Sequence, residues 1–234
     1  MNVLILMGDI QSLQYQGKPL LLYEYNGQTI LQKIVNKHKE IEGNLIFVLQ
    51  DDTNKTFQKI IKLLAPQSQI VNTAAQTKGA LCSSLLAIHH INNNNPLLIV
   101  NGLQYLDVNL EDFISHSINY DGGIVTFQSF ASGWSYADVS PDGFIQYVAE
   151  KDIISHNATA GCYFFKKGTD YIHSAMETIR NNNAVNNIFY LAPCYNEMLL
   201  YTKQIISFKI KREQYFYFKR NEDIEHFKTF ISTQ

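Results

Sequence analysis

The chain has 234 residues, 46% of them hydrophobic and 17% charged, which excludes a disordered or fibrous protein and is enough for one large core or two small ones. Lys and Arg number 19 against 21 Asp and Glu, a formal net charge of -2, so no summed positive field exists to hold nucleic acid or an anionic membrane. No apolar run approaches the roughly 18 residues of a membrane-spanning helix, and Met1-Asn2-Val3-Leu4-Ile5-Leu6-Met7 is short and lacks a signal peptide's basic flank. The expected location is therefore the cytoplasm. Cys82, Cys162 and Cys194 are too far apart for a zinc site or a disulfide framework and are expected reduced and buried.

In chain order, Val3 to Met7 is a continuous apolar run ending at Gly8, the pattern of a strand covered on both faces. Residues 29–37 place Ile30, Leu31, Ile34 and Val35 on one helical face behind a Thr29 N-cap. A second buried strand is predicted over 45–49, ending at the polar Gln50-Asp51-Asp52. A helix follows over 57–64, a short strand over 69–71, a helix over 80–91 and a buried strand over 96–100. This alternation predicts a mainly parallel sheet with helices on both faces, whose carboxyl edge favours nucleotides.

Beyond Asn101 the pattern changes to strands over 123–127, 136–139, 145–149 and 161–165, with Pro141-Asp142-Gly143 as a hairpin turn. Helices are predicted over 170–180, 186–201 and 222–231, with a strand over 205–210 between the last two. The Asn runs 92–95 and 181–183 read as helix ends or loops. With no linker and no repeat, the chain reads as a single domain, 1–234.

Two loops carry candidate chemistry. Gly8, directly after the first strand, lets backbone N–H groups approach a phosphate, and Lys18 further along the loop supplies charge; Gly17-Lys18-Pro19 also reads as a surface turn. At the end of the 145–149 strand, Glu150 can accept a pair of sugar hydroxyls and Lys151 can meet a phosphate, though such a pair is also common as solvated surface charge. His89-His90 fits a helix C-terminus, and His156 fits a hydrogen-bonded loop position. Tyr215 to Phe218 read as sheet core or a subunit contact rather than a stacking platform for bases.

From Gln76 to Tyr195 the chain resembles the sugar-1-phosphate nucleotidyltransferases. Thr77-Lys78-Gly79-Ala80 with Ser84-Leu85-Leu86-Ala87 is similar to that family's glycine loop and helix beside the base. Leu97 to Gly102 is similar to the strand leading into its metal site. Gly122 to Phe127 with Trp134-Ser135-Tyr136-Ala137 resembles the wall of its sugar pocket, and Val148-Ala149-Glu150-Lys151 with residues 155–164 resembles its sugar-binding strand pair. Residues 186–190 with 193–197 resemble its late helix.

The resemblance implies a single-domain, Rossmann-like, three-layer α/β/α fold with a mixed, mainly parallel sheet and antiparallel additions in the second half. Residues 1–110 would form the nucleotide-binding half and 111–234 the sugar-binding half. The implied reaction is attack of a sugar-1-phosphate oxygen on the α-phosphorus of a nucleoside triphosphate, making a nucleotide-sugar for surface polysaccharide. The implied nucleotide-binding residues are Gly8, Gln76, Gly79 and Asn101, with Lys18 on the phosphates. Those for the sugar are Trp134, Tyr136, Glu150, Lys151, Gly161 and Asn186.

Several positions depart from the family. Ile10 replaces a loop glycine, Ser12 stands near the family's arginine, and Leu103 occupies the place of its metal-binding aspartate. Ile188 lies where many relatives have a glutamate, and residues 215–221 replace a Trp and Gly-rich segment with aromatics. Leucine cannot ligate Mg²⁺, a hard cation that takes oxygen, so Asp107 is the nearby candidate ligand if the chain is active with Mg²⁺. Two readings follow: a nucleotidyltransferase that is impaired or altered, or an inactive family member that binds sugar phosphates or nucleotide-sugars, as a homo-oligomer or as partner of an active relative.

Overall fold

The computed structural model describes residues 1–8, 10, 13–50, 55–73 and 76–232. Ser12, at the arginine position, and Asp51 and Asp52 lie outside the described residues. The first half contains β1 (Asn2–Leu6), then two tight hairpins, β2 (Gln14–Tyr15) with β3 (Lys18–Pro19) and β4 (Glu24–Tyr25) with β5 (Gln28–Thr29). There follow α1 (Ile30–Lys39), β6 (Asn44–Gln50), α2 (Lys55–Leu64), β7 (Gln69–Thr73), α3 (Ala80–Leu85), α4 (Ile88–Ile91), β8 (Leu97–Asn101) and β9 (Gln104–Leu106). The second half contains α5 (Leu110–Ser117), β10 (Gly122–Gln128), β11 (Ser135–Val139), β12 (Ile145–Glu150), β13 (Asn157–Phe165), α6 (Gly168–Arg180), α7 (Cys194–Leu200), β14 (Ile205–Ile210), β15 (Tyr215–Tyr217) and α8 (Asn221–Ser232).

A nine-stranded sheet in the order β12-β11-β13-β8-β1-β6-β7, with β10 and β14 attached beside β13, runs through both halves. Strands β8, β1, β6 and β7 are parallel, as is the pair β10 and β14, whereas β13 runs antiparallel to both β8 and β10. The continuous apolar runs are divided residue by residue between two cores. Val3, Ile5, Phe47, Leu49, Leu98 and Val100 face one, with Ile34 of α1, Ile61 of α2, Phe113 of α5 and Phe227 of α8. Leu4, Leu6, Ile46, Val48, Leu97 and Ile99 face the other, with Leu81 of α3, Ile91 of α4, Tyr171 of α6 and Tyr195 of α7. This is the three-layer arrangement expected, and it explains why those strands show no polar face.

Thr29 caps α1 by accepting the Gln32 N–H at 3.1 Å, and Gly143 closes the β11–β12 hairpin at φ 88°. Two predicted helices are corrected. The 80–91 helix is broken into α3 and α4 at Leu86-Ala87. The 186–201 helix shrinks to α7, because Asn186 and Asn187 both adopt left-handed backbone (φ 52° and 61°) and Val185 pairs with Ile188 across them, the geometry of a tight hairpin turn. Cys162 and Cys194 are buried, whereas Cys82 is half-buried, and none of the three is in a disulfide. Among the described residues no helix is long and apolar enough to cross a membrane.

Candidate functional site

A cleft of about 480 Å³ opens at the carboxyl ends of β1, β6 and β8 and is closed on its far side by β11, β12 and β13. Its first wall comes from the parallel part of the sheet. Gly8 follows β1, Asn101 ends β8 and Leu103 follows it, while Gln76, Thr77 and Gly79 come from the loop before α3. Gly79 is required there for two reasons. Its φ is 115°, and a Cβ on it would overlap the Phe189 carbonyl oxygen and lie 2.7 Å from Ile188 Cγ2. The close approach lets the Phe189 N–H donate to Lys78 O at 2.8 Å while the Phe189 carbonyl oxygen accepts the Leu81 N–H at 3.2 Å, so the loop and the 188–192 segment are sewn together.

The second wall carries the charge and the aromatic rings. Glu150, at the end of β12, accepts a hydrogen bond from the Ser135 hydroxyl of β11, whose backbone lies opposite Glu150 in register. Burial raises the Glu150 carboxyl above the ordinary carboxylate range, with the Ser135 bond and the charge of Lys151 acting against it. Lys151 turns out of the strand with φ 59°, donates its N–H to Trp134 O at 3.0 Å, and holds its ammonium 4.9 Å above the Tyr190 ring. A hydrogen bond with Tyr190 raises the lysine's pKa.

Trp134 is the centre of an aromatic cluster, with ring centroids 5.6 Å from Tyr215 and 5.9 Å from Tyr217. The Tyr217 hydroxyl meets the Asn101 side chain; burial raises its pKa and that hydrogen bond lowers it. Asn101 in turn accepts Leu103 N–H at 2.9 Å. The floor is set by Gly161. Between the pairs Ile124 to Tyr163 and Thr126 to Thr159, β13 spends extra residues against β10, and Gly161 sits in this bulge at φ 58°. A Cβ there would lie 2.6 Å from Gln104 Oε1, whose Nε2 donates to the Gly161 carbonyl at 3.1 Å.

Of the residues assigned from the sequence, Gly8, Gln76, Gly79, Asn101, Trp134, Glu150, Lys151 and Gly161 all line this cleft. The other four do not. Lys18 is exposed on the β2–β3 hairpin, which is tied to α8 through the Tyr15 hydroxyl and Glu225. Tyr136 is fully buried and donates to Ala131 O at 2.6 Å, supporting from below the loop that carries Trp134. Asn186 is exposed in the hairpin turn. Asp107 is fixed outside the cleft, its N–H on Gln214 O and its own carbonyl on Gln214 Nε2, both at 2.8 Å.

Ile10, in place of a glycine, is wholly buried in the core instead of shaping the loop around a phosphate. Among the cleft residues that sequence reasoning did not assign, those with rings or charge are Tyr163, Tyr190, Tyr215, Tyr217 and Lys219. Tyr215 is buried sheet core, as expected, but with Tyr217 it also forms cleft wall.

The Mg²⁺ implied by the resemblance finds no fitting donor set among the described residues. Leu103 presents carbon to the cleft, Glu150 is the one carboxylate on its described wall, and no three His, Cys, Asp or Glu side chains converge anywhere among the described residues.

No protein-family model matches this sequence, and no curated protein is similar enough to match. Solved structures do match over nearly the whole chain. The nucleoside-diphosphate-sugar pyrophosphorylase from Vibrio cholerae RC9 superposes with a TM-score of 0.82 at 22% identity, covering 98% of this chain and 100% of that one. A UDP-glucose pyrophosphorylase complexed with UDP-glucose matches at 0.75 and 15% identity over 100% and 99% of the two chains. The inositol-1-phosphate CTP transferase from T. maritima matches at 0.74 and 9% identity over 97% and 94%. The chain has the fold of the nucleotide-sugar pyrophosphorylases and sugar-1-phosphate nucleotidyltransferases, the fold that its sequence resemblance implied.

Proposed function

We propose that this chain is a nucleotidyltransferase-like protein whose cleft takes a nucleotide-sugar, or a nucleoside triphosphate and a sugar-1-phosphate together, within one domain. The observation that carries this reading is the convergence on one cleft of Gly8, Gly79 and Asn101 from residues 1–110 with Trp134, Glu150 and Lys151 from residues 111–234. The first set has the small side chains and open backbone that let a base and ribose lie close to the chain. The second has a carboxylate for sugar hydroxyls and a ring for a sugar face. In the forward reaction an oxygen of the sugar-1-phosphate forms a bond to the α-phosphorus, and the bond to the β-phosphate oxygen breaks to release pyrophosphate. Charge accumulates on the α-phosphate, so cations contribute more than a general base.

We assign Glu150 to the sugar hydroxyls and Lys151 to the sugar phosphate. Tyr136 supports the Trp134 loop, and Lys18, Asn186 and Asp107 have no part in the cleft. Turnover is expected to be slow relative to an enzyme with a complete metal site, because the described wall offers neither an arginine nor a second carboxylate to the triphosphate. Leu103 on the wall favours a second reading, in which the chain binds the nucleotide-sugar without turning it over and acts on or beside an active relative.

A melting-temperature series with nucleoside triphosphates, sugar-1-phosphates and nucleotide-sugars, followed by a pyrophosphate-release assay on the ligands that bind, separates the outcomes. A bound ligand stabilises by an amount set by its concentration over its dissociation constant, about 2.7 kcal/mol at a hundredfold excess. Release of pyrophosphate supports the enzyme, and binding without release supports the recognition role. No shift with any of the three ligand classes would reject both.

A further inference from the structure

The corner of the cleft at Leu103 holds a cation in place of a carboxylate. Leu103 O accepts the Phe218 N–H at 2.8 Å, and β9 and β15 pair directly, Gln104 against Tyr217. The chain end after β15 is thereby fixed beside Leu103, and the next residue, Lys219, lines the cleft. Its backbone is further held by Asp223, whose Oδ2 accepts the N–H of Lys219 at 2.9 Å and of Arg220 at 2.7 Å.

The neighbouring charges are divided unevenly. Arg220 spends its guanidinium on Glu222 and Asp223, at 3.6 and 3.7 Å. Among the described residues Lys219 has no acidic partner. The cleft's other cation, Lys151, is seated on Tyr190, and the one carboxylate on the described wall, Glu150, already receives Ser135. The described wall therefore carries two ammonium groups against a single carboxylate, an excess of positive charge that suits a phosphate or diphosphate.

We propose that Lys219 binds a phosphate group of the ligand directly at the Leu103 corner, with Lys151 on the far side of the cleft, so that the phosphates are held without a divalent cation. This inference rests on the nucleotide-sugar reading above and names how that ligand's charge is met. It balances without a metal: two ammonium groups face the two or more negative charges of a diphosphate, and an ammonium is a compact, strongly hydrated donor suited to phosphate oxygen.

The test is titration calorimetry of the full chain with two probes, inorganic pyrophosphate and UDP-glucose, each in EDTA and in Mg²⁺. Wild type is expected to bind pyrophosphate in EDTA. Lys219→Met should bind it about tenfold or more weakly, the loss typical of one charge-assisted hydrogen bond, while Lys219→Arg stays near wild type. The apo melting temperature of Lys219→Met should be unchanged, since Lys219 is exposed. The double variant Leu103→Asp with Lys219→Asp introduces a pair of carboxylates at this corner and should lose EDTA-resistant binding in favour of Mg²⁺-dependent binding.

Wild-type binding that disappears in EDTA, or Lys219→Met binding pyrophosphate as tightly as wild type, would overturn the inference. In either case UDP-glucose binding in Mg²⁺ would leave the nucleotide-sugar reading standing. Failure of both probes under both conditions would overturn the inference, and failure of the whole ligand series above as well would overturn the nucleotide-sugar reading with it.

Discussion

The two walls of the cleft recognise by different means. Every described wall residue from the first half is neutral and none is aromatic, from Gly8 and Gln76 to Gly79, Asn101 and Leu103. All the described charges and rings, Trp134, Glu150, Lys151, Tyr163, Tyr190, Tyr215, Tyr217 and Lys219, come from the second half. A wall of backbone and small side chains selects by shape and by N–H and C=O groups, which suits a base and ribose. A wall of ions and rings selects by charge and stacking. On the nucleotide-sugar reading proposed above, the difference assigns the phosphate charge to the second half, because the described first-half wall of the cleft carries no ion.

The largest effect is expected from the shape wall. Gly79→Ala places a methyl group against the Phe189 carbonyl and Ile188 in a backbone conformation (φ 115°) that L-residues rarely adopt, and should cost about 3 kcal/mol of stability. Denaturant unfolding would read this directly, and ligand-induced stabilisation should vanish with it. A variant as stable and as responsive as wild type would show that the 188–192 segment is not what positions the loop.

Glu150→Gln probes the charged wall. It keeps the size of the side chain and removes the charge, and should weaken binding of a sugar ligand about thirtyfold, the range for a hydrogen bond to an ionised group. Its effect on the empty protein has the opposite sign. Burial raises the folded-state pKa above the ordinary 4.5, so as pH rises the unfolded chain releases this proton first. Stability contributed by the neutral acid is lost from about the ordinary value upward through the folded one. Glu150→Gln should flatten that slope and leave the apo protein more stable near neutral pH. Melting curves from acid to neutral pH, taken on both proteins without ligand, would check it.

The same contrast governs what could be read from the residues alone. The parallel half was legible because Val3 to Met7, Leu45 to Leu49 and Leu97 to Val100 are apolar without interruption, short runs bounded by polar, glycine or proline residues that fit a strand between two cores. Trp134, Glu150 and Lys151 were legible from the resemblance and from their place at strand ends. Tyr217 and Lys219 were not, because β9 and β15 have three residues each, too few to show a period, and nothing in spacing tells that the chain near residue 217 returns to residue 104. The 186–201 segment misled because Ile188 and Leu191 fall at helical spacing, while the signal that decides it is the Asn186-Asn187 pair and its tolerance of left-handed backbone. Helix α5 carries its own sequence signal, since Asn109 accepts the Glu111 N–H at 3.0 Å as N-cap and Glu111 and Asp112 occupy the first turn.

A smaller effect is expected where the walls meet. Tyr217→Phe removes the hydroxyl that engages Asn101 and leaves the ring on Trp134 in place. It should cost about 1 kcal/mol of stability, the usual worth of one neutral hydrogen bond, with the fluorescence of the chain's single tryptophan, Trp134, reporting whether the ring packing is preserved. If stacking on that ring carries ligand affinity, the binding loss in Tyr217→Phe stays small while Tyr217→Ala loses far more.

The smallest effect separates the sequence assignment from the structural one. Asn186 was assigned to the sugar by resemblance, yet it sits exposed in the turn that precedes the cleft segment, with φ 52°. Glycine adopts that backbone more readily than asparagine, so Asn186→Gly should change stability by no more than about half a kcal/mol. Sugar-ligand affinity measured by calorimetry should be unchanged, because Tyr190 and its neighbours, not the turn, reach the cleft. A tenfold loss of affinity in Asn186→Gly with normal unfolding would return the turn to the site and move the boundary of the charged wall out to residue 186. Equal affinity confines recognition on that side to the segment clamped against Gly79, and makes the turn a device for delivering that segment.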